Sequence, residues 1–420
     1  MARTPRALLF LQVLADSTRA AEQRQQVMQV STHTRRAKWL LSGLYFAYFT
    51  AVYMWTVLPR HLEGLGWTGV QIGLVFSARK VVESCAMWLW AAGSDSGRGR
   101  VLLRAQFILG ALAISALPFA RSTEAVFAIF VIFGATAGSA LPLVDTQAMK
   151  LVGAFGFGKI RAWGSAGYGV LALFAGIFGL FASYTSLAAL STWGIVAGTW
   201  LAAMCAMIIP KPEAGEQRVK RPPVREALGQ LLKPELALLM LVGAIHWSCQ
   251  APYMMFLVSL CENNGLPPQA PGFAVLFAVI AEFAVLSNSE RLLKLMRPTS
   301  WLVLVVITTG ARWYLMAKTT SVAVMLAAQL IHGLSFGAFL VAVVALLTRH
   351  IPETSRAQGQ ALLYLLIFGV GGILGNSGAG YIKDLAGVSS LFEVAAAIQW
   401  LLAPLAIALA IRARRNLEES

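Results

Sequence analysis

Charge is scarce in this chain of 420 residues: Asp, Glu, Lys and Arg make up 13%, against 58% hydrophobic residues. An average soluble domain carries about a quarter charged residues, so an ordinary soluble fold is excluded. Acids are scarcer than bases, 19 against 34, for a net charge of +15. A balance that basic raises nucleic acid as a partner. The Lys and Arg, however, sit in short loops between apolar runs, which points to a lipid bilayer and to no nucleic acid. Cysteine is rare: Cys85, Cys205, Cys249 and Cys261 form no CxxC pair, and three of them lie inside apolar runs. That excludes a disulfide framework or a thiolate metal site. Walker, zinc-spacing and nucleophile-elbow motifs are missing, so the chain does not read as an enzyme and calls for no cofactor or metal.

What is abundant is long apolar sequence. Twelve candidate spans follow one another, at about 39–58, 70–92, 101–120, 125–147, 163–183, 186–209, 235–259, 271–288, 300–317, 322–347, 360–382 and 388–411. Each is near the ~20 residues needed to cross ~30 Å of hydrocarbon. The expected class is an all-α membrane protein with twelve transmembrane helices in two six-helix halves, 38–209 and 235–412. Residues 210–234, rich in proline and basic residues, read as a cytosolic linker. Residues 1–37 read as a cytosolic extension and 413–420 as a cytosolic tail. Internal echoes support duplication: Ser94-Asp95-Ser96-Gly97-Arg98 returns as Ser287-Asn288-Ser289-Glu290-Arg291, and Arg161-Ala162-Trp163-Gly164 as Arg356-Ala357-Gln358-Gly359. Related halves facing one another are how many carriers build alternating access. Of the 34 Lys and Arg, Arg79, Lys80 and Arg312 lie inside spans, and Arg60, Arg121, Lys318 and Lys383 lie on the face opposite the termini. The remainder share the termini's face, which predicts both termini in the cytoplasm of a multi-pass cell-membrane protein.

Several segments carry a resemblance. They are the basic loop Gly93-Ser94-Asp95-Ser96-Gly97-Arg98-Gly99-Arg100, the opening run Leu44-Tyr45-Phe46-Ala47-Tyr48-Phe49, and Phe157-Gly158-Lys159-Ile160-Arg161-Ala162-Trp163-Gly164-Ser165. Further on come His332-Gly333-Leu334-Ser335-Phe336-Gly337 and Gly369-Val370-Gly371-Gly372-Ile373-Leu374-Gly375. Together they resemble the phenylpropionate permease branch of the major facilitator superfamily, over about residues 39–411. The loop departs from the superfamily signature at Ser96, where Arg usually follows the Asp. The resemblance implies twelve helices and proton-coupled uptake. Asp95, Arg98 and Arg100 would then form a charge latch at helix ends. Asp145, near the end of the fourth span, and Arg161 read as gating residues.

Ionisable residues inside the spans converge on one depth. Arg79, Lys80, Glu83, His246, Glu282, Arg312 and His332 each lie about 10–13 residues into a helix, or ~15–18 Å deep at 1.5 Å per residue. Charges there are costly and mark functional sites by default. Glu83 is placed i,i+4 from Arg79 and i,i+3 from Lys80, so it can pair with either and leave one cation over. A spare cation suits an anionic substrate, held in bidentate fashion if it is an Arg. Glu282 and His332 are candidate proton carriers. Gln250 and Tyr253 extend a polar stripe from His246 along the seventh span, with Pro252 as a kink, and Tyr45 is a candidate cavity aromatic. The glycine runs lie in apolar helices and read as close-packing surfaces.

The expected function is a monomeric secondary transporter, coupling protons to uptake of a small organic anion such as an aromatic carboxylate. A proton-coupled nucleoside or sugar symporter is the alternative, to be favoured if Arg79, Lys80 and Arg312 all prove paired with protein acids. A non-transporting sensor on the same fold is the other.

Overall fold

A computed structural model describes residues 5–93, 98–210, 229, 232–351 and 356–418, with side chains left undescribed at 5–34, 91–92, 150–156, 356–358 and 415–418. Twelve spans are labelled in chain order: α1 (Arg35–Gly64), α2 (Gly69–Gly93), α3 (Gly99–Phe119), α4 (Thr123–Met149), α5 (Phe157–Gly179), α6 (Tyr184–Ile208), α7 (Pro234–Asn263), α8 (Ala270–Ser287), α9 (Pro298–Lys318), α10 (Val322–His350), α11 (Gly359–Ala386) and α12 (Val388–Arg414). Eleven of them are long and apolar enough to cross a membrane. The twelfth, α2, has 25 residues and is long enough, but Arg79, Lys80 and Glu83 break its apolar character. The helix containing α1 begins at Pro5, so the extension is continuous with the first span. The Asp95 loop lies outside the described residues.

Within the N-terminal half α1 packs on α6, α2 on α4 and α3 on α6; within the C-terminal half α9 and α7 pack on α12 and α8 packs on α10. The halves meet along α2–α11, α5–α8 and α1–α7. The α2–α11 and α5–α8 seams are built on glycine. A Cβ on Gly272 of α8 would stand 2.3 Å from the backbone nitrogen of Gly176 on α5, and one on Gly73 of α2 would stand 2.5 Å from the Asn376 carbonyl of α11. The expected packing role of the α11 glycines holds inside the C-terminal half too. There a Cβ on Gly371 or Gly375 would meet the α7 carbonyls of Ala244 and Ser248 at 2.6 and 2.5 Å. Backbones touch where larger side chains would hold helices apart.

Several helices are interrupted near mid-depth. α7 breaks at Cys249–Gln250, with Pro252 opening its second segment Ala251–Asn263. A proline in a first turn gives up no hydrogen bond. Phe256 adds a non-helical residue at φ −125°, ψ 17°. α4 is broken at Thr136, φ −116°, where the Trp90 indole donates to the Ala135 carbonyl at 2.7 Å. α10 carries a π-helical stretch at Gly333–Ala338, directly after His332, and α11 another at Leu365–Val370. Such bulges concentrate at functional sites.

Polar ties between the halves concentrate at the end away from the termini. Arg60 of α1 grips Glu262 of α7 at 2.5 and 3.0 Å, Tyr184 of α6 donates to the Leu266 carbonyl at 2.8 Å, and Glu63 pairs with Lys383 of α11 at 3.1 Å. Partway down the seam, Ser77 of α2 meets Ser377 of α11 with their hydroxyls 2.7 Å apart.

The packing yields a matched pair of substitutions on one helix. Gly375→Val should destabilise by about 1–3 kcal/mol, because its side chain is driven into a backbone carbonyl. Gly378→Val, where a Cβ meets nothing within 4 Å, should stay near wild type. Thermal unfolding of the two variants in detergent checks this; equal melting temperatures would contradict it.

Candidate functional site

The seven ionisable residues expected at one depth do not share one chamber. They fall into three groups. On α2, Glu83 lies between two cations: Lys80 Nζ is 2.9 Å from Oε1 and Arg79 Nη2 is 3.8 Å from Oε2. The short contact belongs to Lys80, so Arg79 is the looser partner. The Arg79 guanidinium sits 3.8 Å over the Trp55 ring and 5.3 Å from Phe133, and its buried Nε has no hydrogen-bond partner. Cation–π contact of this kind is worth ~0.5–2 kcal/mol and helps hold a charge away from water. Beside it lies a narrow crevice, with room for little more than a water molecule, lined by Tyr48, Trp55, Arg79, Phe133 and Thr199 among others.

The second group joins α8, α9 and α10. Arg312 is fully buried, yet none of its hydrogen bonds goes to an acid. Nη2 donates to Gln329 Oε1 at 2.6 Å and Nη1 meets His332 Nδ1 at 3.0 Å. The guanidinium lies 4.5 Å over Tyr253 and 4.4 Å over Trp313. A guanidinium can only donate, so Nδ1 of His332 must accept and the imidazole proton sits on Nε2. That nitrogen faces Glu282 Oε2 at 3.6 Å, beyond hydrogen-bond length but within ion-pair range. The Glu282 side chain keeps 20% exposure. The result is a line from a buried cation, through a neutral imidazole, to a carboxyl that is one-fifth exposed. A second proton on His332 would set two donors against each other at Nδ1 and break the line at Arg312.

His246 forms the third group with Gln250. It is fully buried, with Nδ1 3.1 Å from Gln399 Oε1 of α12, Nε2 2.9 Å from the Ser335 carbonyl of α10, and Gln250 Nε2 3.3 Å away. These contacts tie three helices of the C-terminal half together and leave His246 no open face. Tyr253, the far end of the expected polar stripe, belongs to the Arg312 group instead, its ring 5.6 Å from that of His332.

Tyr45 is likewise placed apart from Arg79. It is fully buried and donates to Asp145 Oδ1 at 2.5 Å. Arg161 Nε is 3.8 Å from the same oxygen, and its guanidinium lies 4.5 Å over Phe49. The two expected gating residues thus meet, with Tyr45 as a third member, toward the termini end of α1, α4 and α5. Arg98 is exposed and Arg100 half-buried at the start of α3.

Sequence reasoning missed Gln329 and Trp313, whose importance depends on a helix pairing that spacing alone does not reveal. It also left Tyr168 of α5 unremarked. That residue packs edge-on against Tyr53 of α1 at 5.4 Å. Among the described residues no cluster of three or more potential metal ligands occurs.

Comparisons with known proteins agree with this architecture. The chain is 24% identical over 320 residues to the maltose permease of Geobacillus stearothermophilus, covering 76% of this chain and 80% of that protein. It is 25% identical over 307 residues to a probable 3-phenylpropionic acid transporter of Escherichia coli (strain K12), covering 70% and 78%. The crystal structure of the nucleoside transporter NupG superposes with a TM-score of 0.78 at 16% identity, over 89% of this chain and 98% of that one. A bacterial homologue of the human lysosomal transporter Spinster, inward-facing and unoccupied, superposes with a TM-score of 0.67 at 14% identity, over 90% and 95%. The model of the MFS_1 like family matches residues 38–394, and the chain belongs to that family of multi-pass membrane transporters.

Proposed function

We propose that this transporter couples proton movement to uptake of a small organic anion, such as an aromatic carboxylate. The observation that carries the coupling is the line Arg312–His332–Glu282. Glu282 is the group that takes up the proton. A proton on Glu282 neutralises the carboxylate that faces the Nε2–H of His332, which changes the balance of contacts among α8, α9 and α10. A ligand or proton moves a conformational equilibrium only through such a difference between states. The proton is the charge change, and the π-helical turn after His332 is the element able to repack.

Arg79 supports the anionic substrate. It shares Glu83 with Lys80, keeps an unpartnered Nε, and borders a crevice walled by Tyr48, Trp55 and Phe133. A guanidinium offers two parallel donors to a carboxylate, and the ring faces would take an aromatic body once the crevice widens in another state of the cycle. The resemblance to a 3-phenylpropionic acid transporter points the same way. The basic loops on the termini's face support cytoplasmic termini, and hence transport across the cell membrane into the cytoplasm. A monomer is sufficient for this mechanism.

A neutral solute is the second reading. It is favoured by the pairing of both α2 cations with Glu83, though Arg312 has no acid partner among the described residues, and the likeness to maltose and nucleoside transporters accords with it.

Uptake into proteoliposomes separates these readings. Aromatic and aliphatic acids, nucleosides and sugars are offered with and without an inward proton gradient. Gradient-driven accumulation of an acid supports the first reading, and accumulation of only neutral solutes the second. Accumulation that ignores the gradient rules out coupling.

Two substitutions sharpen the result. Glu282→Gln should abolish gradient-driven accumulation while sparing exchange of solute down its own gradient; retained uphill accumulation would remove Glu282 from the coupling path. Arg79→Ala should raise the half-saturation concentration for a carboxylate by about tenfold, the loss of one charge-assisted contact, with a smaller effect on a neutral competitor. An equal effect on both solutes would assign Arg79 to packing.

A further inference from the structure

The end away from the termini contains a device that neither the relay nor the crevice explains. α2 begins with a capping box: the Gln71 N–H donates to Thr68 Oγ1 at 3.2 Å, and the Thr68 N–H donates to Gln71 Oε1 at 2.9 Å. The box leaves the N–H groups of Gly69 and Val70 without a partner from their own half. Both are taken by Asp384 at the end of α11, Oδ1 accepting from Gly69 and Oδ2 from Val70, each at 2.7 Å. A carboxylate at a helix N-terminus also meets the positive end of the helix dipole. The approach requires glycine on both sides. A Cβ on Gly69 would stand 2.6 Å from the Gly380 carbonyl, and one on Gly380 would stand 2.1 Å from the Gly69 carbonyl.

The neighbouring residue repeats the design with a side chain. Lys383 reaches Glu63 of α1 at 3.1 Å, and the other oxygen of Glu63 accepts from Ser259 of α7 at 2.6 Å. The Lys383 and Glu63 side chains are only 19% and 14% exposed, so the pair is partly shielded from screening. Adjacent residues at the tip of α11, one acid and one base, therefore grip the ends of both α1 and α2. All the bonds run from one half to the other.

We propose that Glu63, Lys383 and Asp384 form the gate at this end, closed in the present structure, and that they must part before the seam between α2 and α11 can open. The chemistry suits a reversible closure. These groups sit at the mouth, where water can replace each lost partner, so the net strength of every bond is modest. Parting them leaves no donor stranded in hydrocarbon. Partners deeper in the bilayer would lack that replacement. The gate rests on contacts separate from the proton relay, and its role does not depend on which solute is carried or on coupling.

A disulfide trap tests it. The hydroxyls of Ser77 and Ser377 are 2.7 Å apart across the seam, so Ser77→Cys with Ser377→Cys should oxidise rapidly when the seam is closed. The readout is the rate of disulfide formation in the reconstituted protein under mild oxidant, with Ser77→Cys alone as the reference. Adding Asp384→Asn and Glu63→Gln should slow that rate by about tenfold. With Asp384 intact, the exchanged pair Glu63→Lys with Lys383→Glu should restore most of the rate. Trapping that stays fast in the neutralised variant overturns the gate. So does slow trapping in an exchanged pair that melts at the wild-type temperature, since restored charge complementarity would then fail to restore closure. Neither result touches the uptake measurements on Glu282, so the gate and the coupling fail separately.

Discussion

A charge held in the middle of a bilayer costs roughly 2.5–3.5 kcal/mol on insertion scales, and every other feature of this molecule's interior accommodates that constraint. The two halves answer it differently. On α2 the answer is local: one carboxylate serves two cations a helical turn away, and the aromatic faces of Trp55 and Phe133 shield the one it serves less well. In the C-terminal half the answer is distributed. Arg312 receives neutral acceptors and two ring faces, while the nearest acid in its line, Glu282, lies beyond an imidazole. A directly paired arginine would be locked, since taking away either partner leaves a buried charge unpaired. An arginine paired through a titratable bridge has two arrangements, with and without the bridging proton. That difference makes the C-terminal cluster the better place for a switch and the α2 cluster the better place for a fixed charge.

The seam between halves must then permit movement without exposing polar backbone to lipid. Glycine contacts between α5 and α8 and between α2 and α11 achieve this with helix surfaces that are nearly smooth. Interlocked large side chains would have to repack as the halves rock, whereas glycine ridges offer little to disengage. Specific closure is then supplied at the rim by a few directional bonds from Arg60, Glu63 and Asp384. Smooth contact in the interior and polar bonds at the water boundary divide the work by solvent: directional bonds stand where water can take over from them.

The legibility of this arrangement in the sequence followed the range of the interactions. Helix existence is a local property, and the span ends expected from hydropathy lie within a few residues of those found, α2 included despite its charges. The Arg79–Lys80–Glu83 trio was readable because i,i+3 and i,i+4 geometry is fixed by the helix itself. The Arg312 line was readable only as a coincidence of depth: the pairing of position 312 with 329 and 332 depends on how α9 lies against α10, which no local pattern states. His246 shows the same limit from the other side, since its depth matched the other six but its partners, Gln399 and Ser335, close it off. The gate was least legible. Lys383 counted only toward topology, and Asp384 finds its partners more than 300 residues earlier, on bare backbone that has no sequence signature. The one local clue was the capping box at Thr68–Gln71, which fixes where α2 starts and therefore which N–H groups are left over.

The relay and the gate are physically connected through α7. Its second segment carries Ser259, bonded to Glu63 at the mouth, and Tyr253, whose ring lies under Arg312. Its first segment carries His246, bonded to α10 and α12. Between the segments the helix is broken at Cys249–Gln250, and Phe256 interrupts the second one. A continuous helix would pass any tilt at the mouth directly into the His246 ties. The interrupted one lets the part between Ala251 and Asn263 move with the mouth while the part before Ser248 stays with the body of the C-terminal half. A displacement that carried past Phe256 to Tyr253 would change the ring face available to Arg312. Arg312 is thus the one cation that touches both the titratable line and the α7 segment leading to the mouth.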